Sequence, residues 1–186
     1  MKSIQLLLAS LTLAIATNLS ALEIGDKAPA FSTKDDAGKV WKSEDHVGKK
    51  NIIVYFYPAA MTGGCTKQAC SYRDASKDLA KLDAVVVAVS GDHVEALKYF
   101  KINDNLNFPL LSDASGDISK AFGVPTRKGG KLIREVEGKK VTLVRDNTPS
   151  RWTFVIGKNG KVIYKNTKVT PTKDLAEVSK AIQAAK

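Results

Sequence analysis

The chain has 186 residues and a formal net charge of +10, with 44% hydrophobic and 26% charged residues. That length suits one domain with a developed core and is short for two, and the composition is that of a globular rather than a disordered chain. The lysines are spread along the whole chain, and no zinc-finger spacing or RNA-binding signature accompanies them. No nucleic-acid partner is expected, and the charge reads as a property of solubility and surface association.

The first residues form their own unit. Lys2 is a short positive start, Ile4 to Ala16 is mostly apolar, and no acidic residue precedes Glu23. This is the pattern of a secretory signal peptide. Cleavage after Ala16 would fit the small-residue rule; cleavage after Ala21 is favoured because Leu22-Glu23-Ile24-Gly25-Asp26 then opens the folded domain. Residues 1–21 are therefore read as a leader and 22–186 as the domain, in a periplasmic or secreted protein. The apolar run falls short of the ~20 residues a membrane span needs, so no stable membrane insertion is expected.

Ala28 to Phe31 and Val40-Trp41 read as short edge strands around a polar turn, Lys34 to Lys39. Ile52 to Tyr57 is the first strong core strand, and the pattern from Gly64 to Leu82 is helical, with Ala69, Tyr72, Ala75 or Ser76, Leu79 and Leu82 recurring at three- and four-residue steps. Ala84 to Ser90 is continuously apolar and β-branched, as in a strand covered on both faces. Asp92 is a candidate N-cap for a helix through Val94, Leu97 and Phe100. Phe108 to Leu111 is extended and Ser115 to Phe122 a short helix. Thr126 to Asn147 reads as an extended hairpin, with the basic run Arg127 to Lys131 at its solvated tip. Trp152 to Ile156, the turn Gly157-Lys-Asn-Gly160 and Lys161 to Tyr164 make a second hairpin. A last amphipathic helix spans about Thr172 to Ala184. Alternating strands and helices followed by a hairpin predict an α/β domain whose mixed sheet carries helices on both faces.

The chemistry concentrates at the end of the first core strand, in Tyr57-Pro-Ala-Ala-Met-Thr-Gly-Gly-Cys65. A strand, a sharp break and a helix start place Cys65 in a first turn, where unpaired N–H groups and the positive helix end favour thiolate over thiol. Thiolate is the reactive form, so Cys65 is a candidate nucleophile. Cys70 is the second and last cysteine. In an oxidising compartment two cysteines are by default a structural disulfide. On an unbroken helix, however, residues five apart have Cα atoms ~8.6 Å apart, beyond the ~7 Å limit for bridging. A static clasp survives only if this segment is never helical. His46 and His93 lack ligand-spaced partners, so no metal site is expected, and Trp41 and Trp152 read as core.

Pro58, Thr62 and Cys65 match the peroxiredoxin signature P-x-x-x-T-x-x-C. Arg151-Trp-Thr-Phe-Val-Ile156 matches its distant partner, an arginine just before a strand; Phe108-Pro-Leu-Leu-Ser-Asp113 and Phe122-Gly-Val124 also resemble family segments. From roughly Ile24 to Ile182 the chain resembles peroxiredoxins, most nearly the bacterioferritin comigratory protein or peroxiredoxin-Q type.

The resemblance implies a thioredoxin-like fold and a thiol peroxidase that needs no metal, haem, flavin or other cofactor. Cys65 would be the peroxidatic cysteine, attacking a peroxide oxygen to give a sulfenic acid. Cys70 would be the resolving cysteine, reaching it after local unwinding that Gly63 and Gly64 ease. Thr62 and Arg151 would orient the peroxide, the N–H groups of Gly64 and Cys65 would complete a cradle for developing charge, and Pro58 would pack over the site without a competing N–H. A thioredoxin-like reductant would recycle the disulfide, with the protein a monomer or weak dimer. Two rivals are a thiol–disulfide oxidoreductase of the same fold, disfavoured by the lack of C-x-x-C, and a non-catalytic exported domain, which leaves the Pro58–Thr62–Cys65 spacing unexplained.

Overall fold

The computed structural model describes residues 22–185. The expected leader and its cleavage points lie outside the described residues.

The centre is a five-stranded sheet. Strand β1 (Ser32–Lys34) and β2 (Val40–Lys42) form a small hairpin outside it; β3 (Asn51–Phe56) is its middle strand. Every residue of β3 is buried: Ile52 to Phe56 is a run of apolar, β-branched and aromatic residues, and Asn51 donates its side-chain amide to the Leu82 carbonyl. After β3 come α1 (Gly63–Asp74), α2 (Ser76–Lys81), β4 (Ala84–Ser90), α3 (Val94–Asn103), β5 (Leu110–Ser112) and α4 (Asp117–Ala121). A long hairpin, β6 (Thr126–Val136) and β7 (Lys139–Pro149), precedes β8 (Trp152–Ile156), β9 (Val162–Asn166) and α5 (Asp174–Ala184). The sheet order is β5-β4-β3-β8-β9; β3 to β5 are parallel, and β8 and β9 antiparallel. The mixed sheet is as expected.

Alternation along β3 builds two unequal layers. Ile53, Tyr55 and the following Tyr57 face a core shared with Cys65, Ala69 and Tyr72 of α1, Leu97 and Phe100 of α3, and Val178 and Ile182 of α5. Ile52, Val54 and Phe56 face Phe31, Ile118 and Phe122, with Trp41 packed against them. The larger helices share one face, and the other is closed by α4 together with the segment around β1 and β2.

Four local expectations are corrected. The first strand starts at Ser32, not Ala28: Asp35 Oδ1 accepts from the N–H groups of Ala37 and Lys39, which fixes the turn and pairs Lys34 with Val40. The helix from Gly64 to Leu82 is two helices, because Ala75 leaves helical geometry at ψ 10° and its carbonyl starts α2. Asp92 does not cap α3. His93 occupies the cap position, and Asp92 turns inward, accepting from the Ala60 N–H at 2.9 Å and the Ser90 hydroxyl at 2.8 Å. Finally, the hairpin of Thr126 to Asn147 forms and extends to Pro149, but Arg127 to Lys131 lies at its base. Its tip is Glu137-Gly138, both with positive φ (50° and 76°), the geometry of a tight type I′ turn.

The base of the long hairpin is fastened to the sheet end. The His93 N–H donates to the Val144 carbonyl and the Asp146 N–H to the Gly91 carbonyl. A Cβ on Gly91 would lie 2.2 Å from the Asn147 carbonyl oxygen, so only glycine permits this approach. Toward the tip, Leu132, Val141 and Leu143 pack on the core that contains Cys65, and Arg134 Nε donates to the Met61 carbonyl at 3.0 Å. The hairpin thus touches the loop that leads into α1.

Candidate active site

The loop from Pro58 to Thr62 bridges the buried end of β3 and the start of α1. Met61 sits at φ 53°, uncommon for a residue with a side chain. Three contacts hold the loop: the Ala60 N–H on Asp92, the Met61 carbonyl under Arg134, and the Thr62 hydroxyl donating to the Ala59 carbonyl at 3.0 Å. Thr62 is the N-cap residue, in extended geometry (φ −110°, ψ 148°) and without a side-chain cap bond. Its hydroxyl proton is committed to Ala59, which leaves its lone pairs as acceptors.

The first turn of α1 carries Gly63, Gly64 and Cys65, and the Thr66 N–H makes the first bond back to the Thr62 carbonyl. The preceding N–H groups have no helical acceptor, so this turn is the electropositive end of α1. Cys65 is 2% exposed, so its sulfur is largely shielded from bulk water. Arg151, just before β8, donates from Nη2 to Cys65 Sγ at 3.1 Å and from Nη1 to Gln68 Oε1. The pairing of β3 with β8, with Phe56 opposite Trp152, brings these distant segments together.

Behind Arg151 lies a network that the sequence did not announce. Gln68 Nε2 donates to Asp174 Oδ2 at 2.7 Å, and the same oxygen accepts from the Tyr72 hydroxyl at 2.8 Å and the Thr153 hydroxyl at 2.9 Å. Gln68 was findable, since it falls three residues after Cys65 on the same helical face. Asp174 had no local signal. It sits 106 residues from Gln68, and burial pushes its carboxyl above the usual range. Burial also holds the Tyr55, Tyr57 and Tyr72 phenols well above their ordinary value, so the wall around the sulfur stays uncharged on that side.

Of the five residues singled out in sequence, Cys65 and Arg151 are in direct contact, and Thr62 and Pro58 belong to the loop immediately before them. Cys70 lies further along the same continuous helix, and both cysteines are free thiols. Cys70 is half-buried, and desolvation raises its thiol, opposed by neighbouring Arg73. Neither histidine is a side-chain partner of Cys65 or Arg151: His46 stacks on Trp41, and His93 pairs with Asp146 on the hairpin. Among the described residues no three potential metal ligands cluster, and no helix is long and apolar enough to cross a membrane.

The chain matches a known family in both sequence and fold. The model of the AhpC/TSA family matches residues 24–165. The structure of peroxidoxin BcpB from Mycobacterium tuberculosis superposes with a TM-score of 0.74 at 30% identity, covering 89% of this chain and 99% of that one. The chain therefore belongs to the AhpC/TSA family, the peroxiredoxins, which are thiol peroxidases of thioredoxin-like fold. Its relatives narrow the type to peroxiredoxin Q/Bcp. Peroxiredoxin Bcp of Bacillus subtilis (strain 168) is 40% identical over 164 residues, 87% of this chain and 96% of that protein. The chloroplastic peroxiredoxin Q of Oryza sativa subsp. japonica is 37% identical over 161 residues, 86% of this chain. The match spans 66% of the rice protein's own length.

Proposed function

We propose that this protein is an exported peroxidase that reduces hydrogen peroxide and organic hydroperoxides through Cys65, using Cys70 to resolve the oxidised sulfur. The observation that carries this reading is the 3.1 Å contact between Arg151 Nη2 and Cys65 Sγ at the start of α1. A fixed guanidinium and a first helical turn both supply donors where negative charge moves.

The Cys65 thiolate attacks the distal oxygen of the peroxide. The S–O bond forms as the O–O bond breaks, sulfur is oxidised by two electrons, and the leaving alkoxide or hydroxide takes up a proton to depart as alcohol or water. Arg151 and the N–H groups of Gly64 and Cys65 cradle the developing charge. Thr62, with its proton on Ala59, accepts the peroxide O–H and so orients the reacting oxygens. Pro58 closes the loop over the site without adding a donor.

Cys70 then attacks the sulfenic sulfur, expelling water and forming the disulfide. Because both cysteines lie on one continuous helix, the start of α1 unwinds for this step. A thioredoxin-like dithiol reductant reverses it by exchange. The apolar leader of residues 1–21 sends the chain to the periplasm or outside the cell, where it acts as a monomer or weak dimer.

Stopped-flow oxidation of the reduced protein with hydrogen peroxide and a bulky organic hydroperoxide tests the reading. Cys65→Ser abolishes turnover; Cys70→Ser keeps the first oxidation and loses the intramolecular disulfide. A sulfenic acid trapped on Cys70 of the Cys65→Ser protein, with full turnover, would refute it. N-terminal sequencing of the exported protein tests the leader, with Leu22 the expected first residue.

A further inference from the structure

The buried carboxylate behind Arg151 has a use that packing alone does not explain. One oxygen of Asp174 collects three hydrogen bonds, from Gln68 and Tyr72 on α1 and from Thr153 on β8. Its other oxygen is buried without a protein partner, and the residue has no exposed surface. All three protein donors that reach the carboxylate converge on one oxygen, Oδ2.

That point determines how Gln68 is presented. A glutamine amide has one donating and one accepting end. A carboxylate oxygen takes only the donating end, so Asp174 draws in Nε2 and turns Oε1 outward. Oε1 is the atom that accepts from Arg151 Nη1. With Nη1 held there, Nη2 of the same planar fork is aimed at Cys65 Sγ. The chain of contacts runs Asp174, Gln68, Arg151, Cys65, and each link has one allowed polarity. If the amide were reversed, its NH2 would face the guanidinium, two donors would oppose each other, and Arg151 would lose its seat. Tyr72 and Thr153 lock the carboxylate from both elements that frame the site, so this orientation is built rather than incidental.

We propose that Asp174 is a positioning residue for peroxide attack: it holds the Gln68 amide in the orientation that seats Arg151 against the Cys65 sulfur. It touches neither sulfur nor peroxide and acts only through Gln68. The proposal rests on the reading of Cys65 as the attacking residue.

The test is single-turnover oxidation of the full-length reduced protein by hydrogen peroxide, with the sulfenic acid trapped and located by mass, in wild type, Asp174→Ala, Asp174→Asn, Gln68→Met and Gln68→Met/Asp174→Ala. Each rate is taken per folded molecule, with folding followed by circular dichroism. Asp174→Ala removes the acceptor and lowers the rate by about tenfold or more, the scale of a misplaced reacting group. Asp174→Asn keeps an acceptor oxygen and recovers much of that loss. Gln68→Met alone reproduces the loss, and in that background Asp174→Ala adds nothing, as residues acting in series require. A carboxylate needed only for folding would lower the melting temperature without this pattern. The proposal is overturned if Gln68→Met attacks peroxide at the wild-type rate, whatever the Asp174 variants do. It is equally overturned if the folded Asp174 variants keep the wild-type rate, or if the Asp174→Ala effect is undiminished in the Gln68→Met background. Absence of a sulfenic acid on Cys65 in wild type is a separate outcome: it refutes the reading of the attacking cysteine itself.

Discussion

Arg151 reaches Cys65 across 86 residues of sequence, with Nη2 on Sγ at 3.1 Å. The contact is made by a half-buried arginine at a strand start and a buried cysteine in a helix's first turn. The strand brings the charge and the helix brings the N–H groups, and the sulfur is where they meet. The same guanidinium is shared with Gln68, so its plane is set by two acceptors at once.

Arg151→Lys therefore keeps a positive charge in the site but cannot fill both acceptors with fixed geometry. Peroxide attack slows by about 10²-fold, within the range seen when a positioned charge-stabilising donor is lost, while the thermal midpoint changes little. Stopped-flow oxidation beside a melting curve checks both halves. A wild-type rate in the lysine protein would make the fork irrelevant.

On the proposed function, a Cys65–Cys70 disulfide closes only if α1 opens at its start, and Gly63 lies in the turn that would open. A Cβ there meets nothing within 4 Å and the backbone is not in the left-handed region, so alanine is admitted without strain. Alanine stabilises the helical form by about 0.5–1 kcal/mol, so Gly63→Ala slows the Cys70 step about two- to fivefold. Quenched-flow mass analysis of sulfenic acid against disulfide separates that step from the first. Hydrogen exchange over residues 62–75 is faster in the oxidised protein; equal protection in both redox forms would point to a static clasp.

Gly91→Ala drives a methyl group into the Asn147 carbonyl, which lies 2.2 Å from the Cβ position. The fixed backbone of β7 must move, and the bonds of His93 and Asp146 across this seam are strained with it. Stability falls by about 1–3 kcal/mol, typical of overpacking, and limited proteolysis cuts first in the long hairpin. An unchanged denaturation midpoint would show that the seam is loose.

Asp92 links stability to pH. Burial raises its carboxyl in the folded state, opposed by hydrogen bonds from Ala60 and Ser90 and by the charges of Arg145 and His93. A folded value above the unfolded one means that the native state binds the proton more tightly, so this contribution is fully present below the unfolded value of about 3.9. It is lost as pH rises through the raised folded value. Relative to Asp92→Asn, the wild type therefore loses stability as pH climbs across that window, by at most about 1.4 kcal/mol per unit, and the difference then levels off. Urea midpoints of both proteins from pH 3.5 to 7 measure this. Wild type gaining stability relative to Asp92→Asn as pH rises would reverse the sign and refute it.

Sequence and structure diverge where a side chain chooses between a local and a distant partner. Asp92 has the composition and position of an N-cap, yet the Ala60 N–H competes successfully for it from across the sheet end. The basic run Arg127 to Lys131 resembles a solvated tip, but the turn goes to Glu137-Gly138, where both residues accept positive φ. Ala75 carries no helix-breaking chemistry, so its own residue type gives no signal for the division of α1 from α2 at its ψ of 10°.

The strands β3, β4 and β8, the helix start at Cys65, and the separation of Cys65 from Cys70 were all legible in the amino-acid order. They depend on local period, on apolar runs and on fixed helix geometry, which are properties of neighbouring residues. The pairing of Arg151 with Cys65 was legible only through the family signature. The turning of Gln68 toward Arg151, the burial of Asp174 behind it and the seating of the long hairpin on the Met61 loop were decided by tertiary structure alone. Each joins residues tens of positions apart, and which donor meets which acceptor is settled only when burial has removed water as an alternative partner.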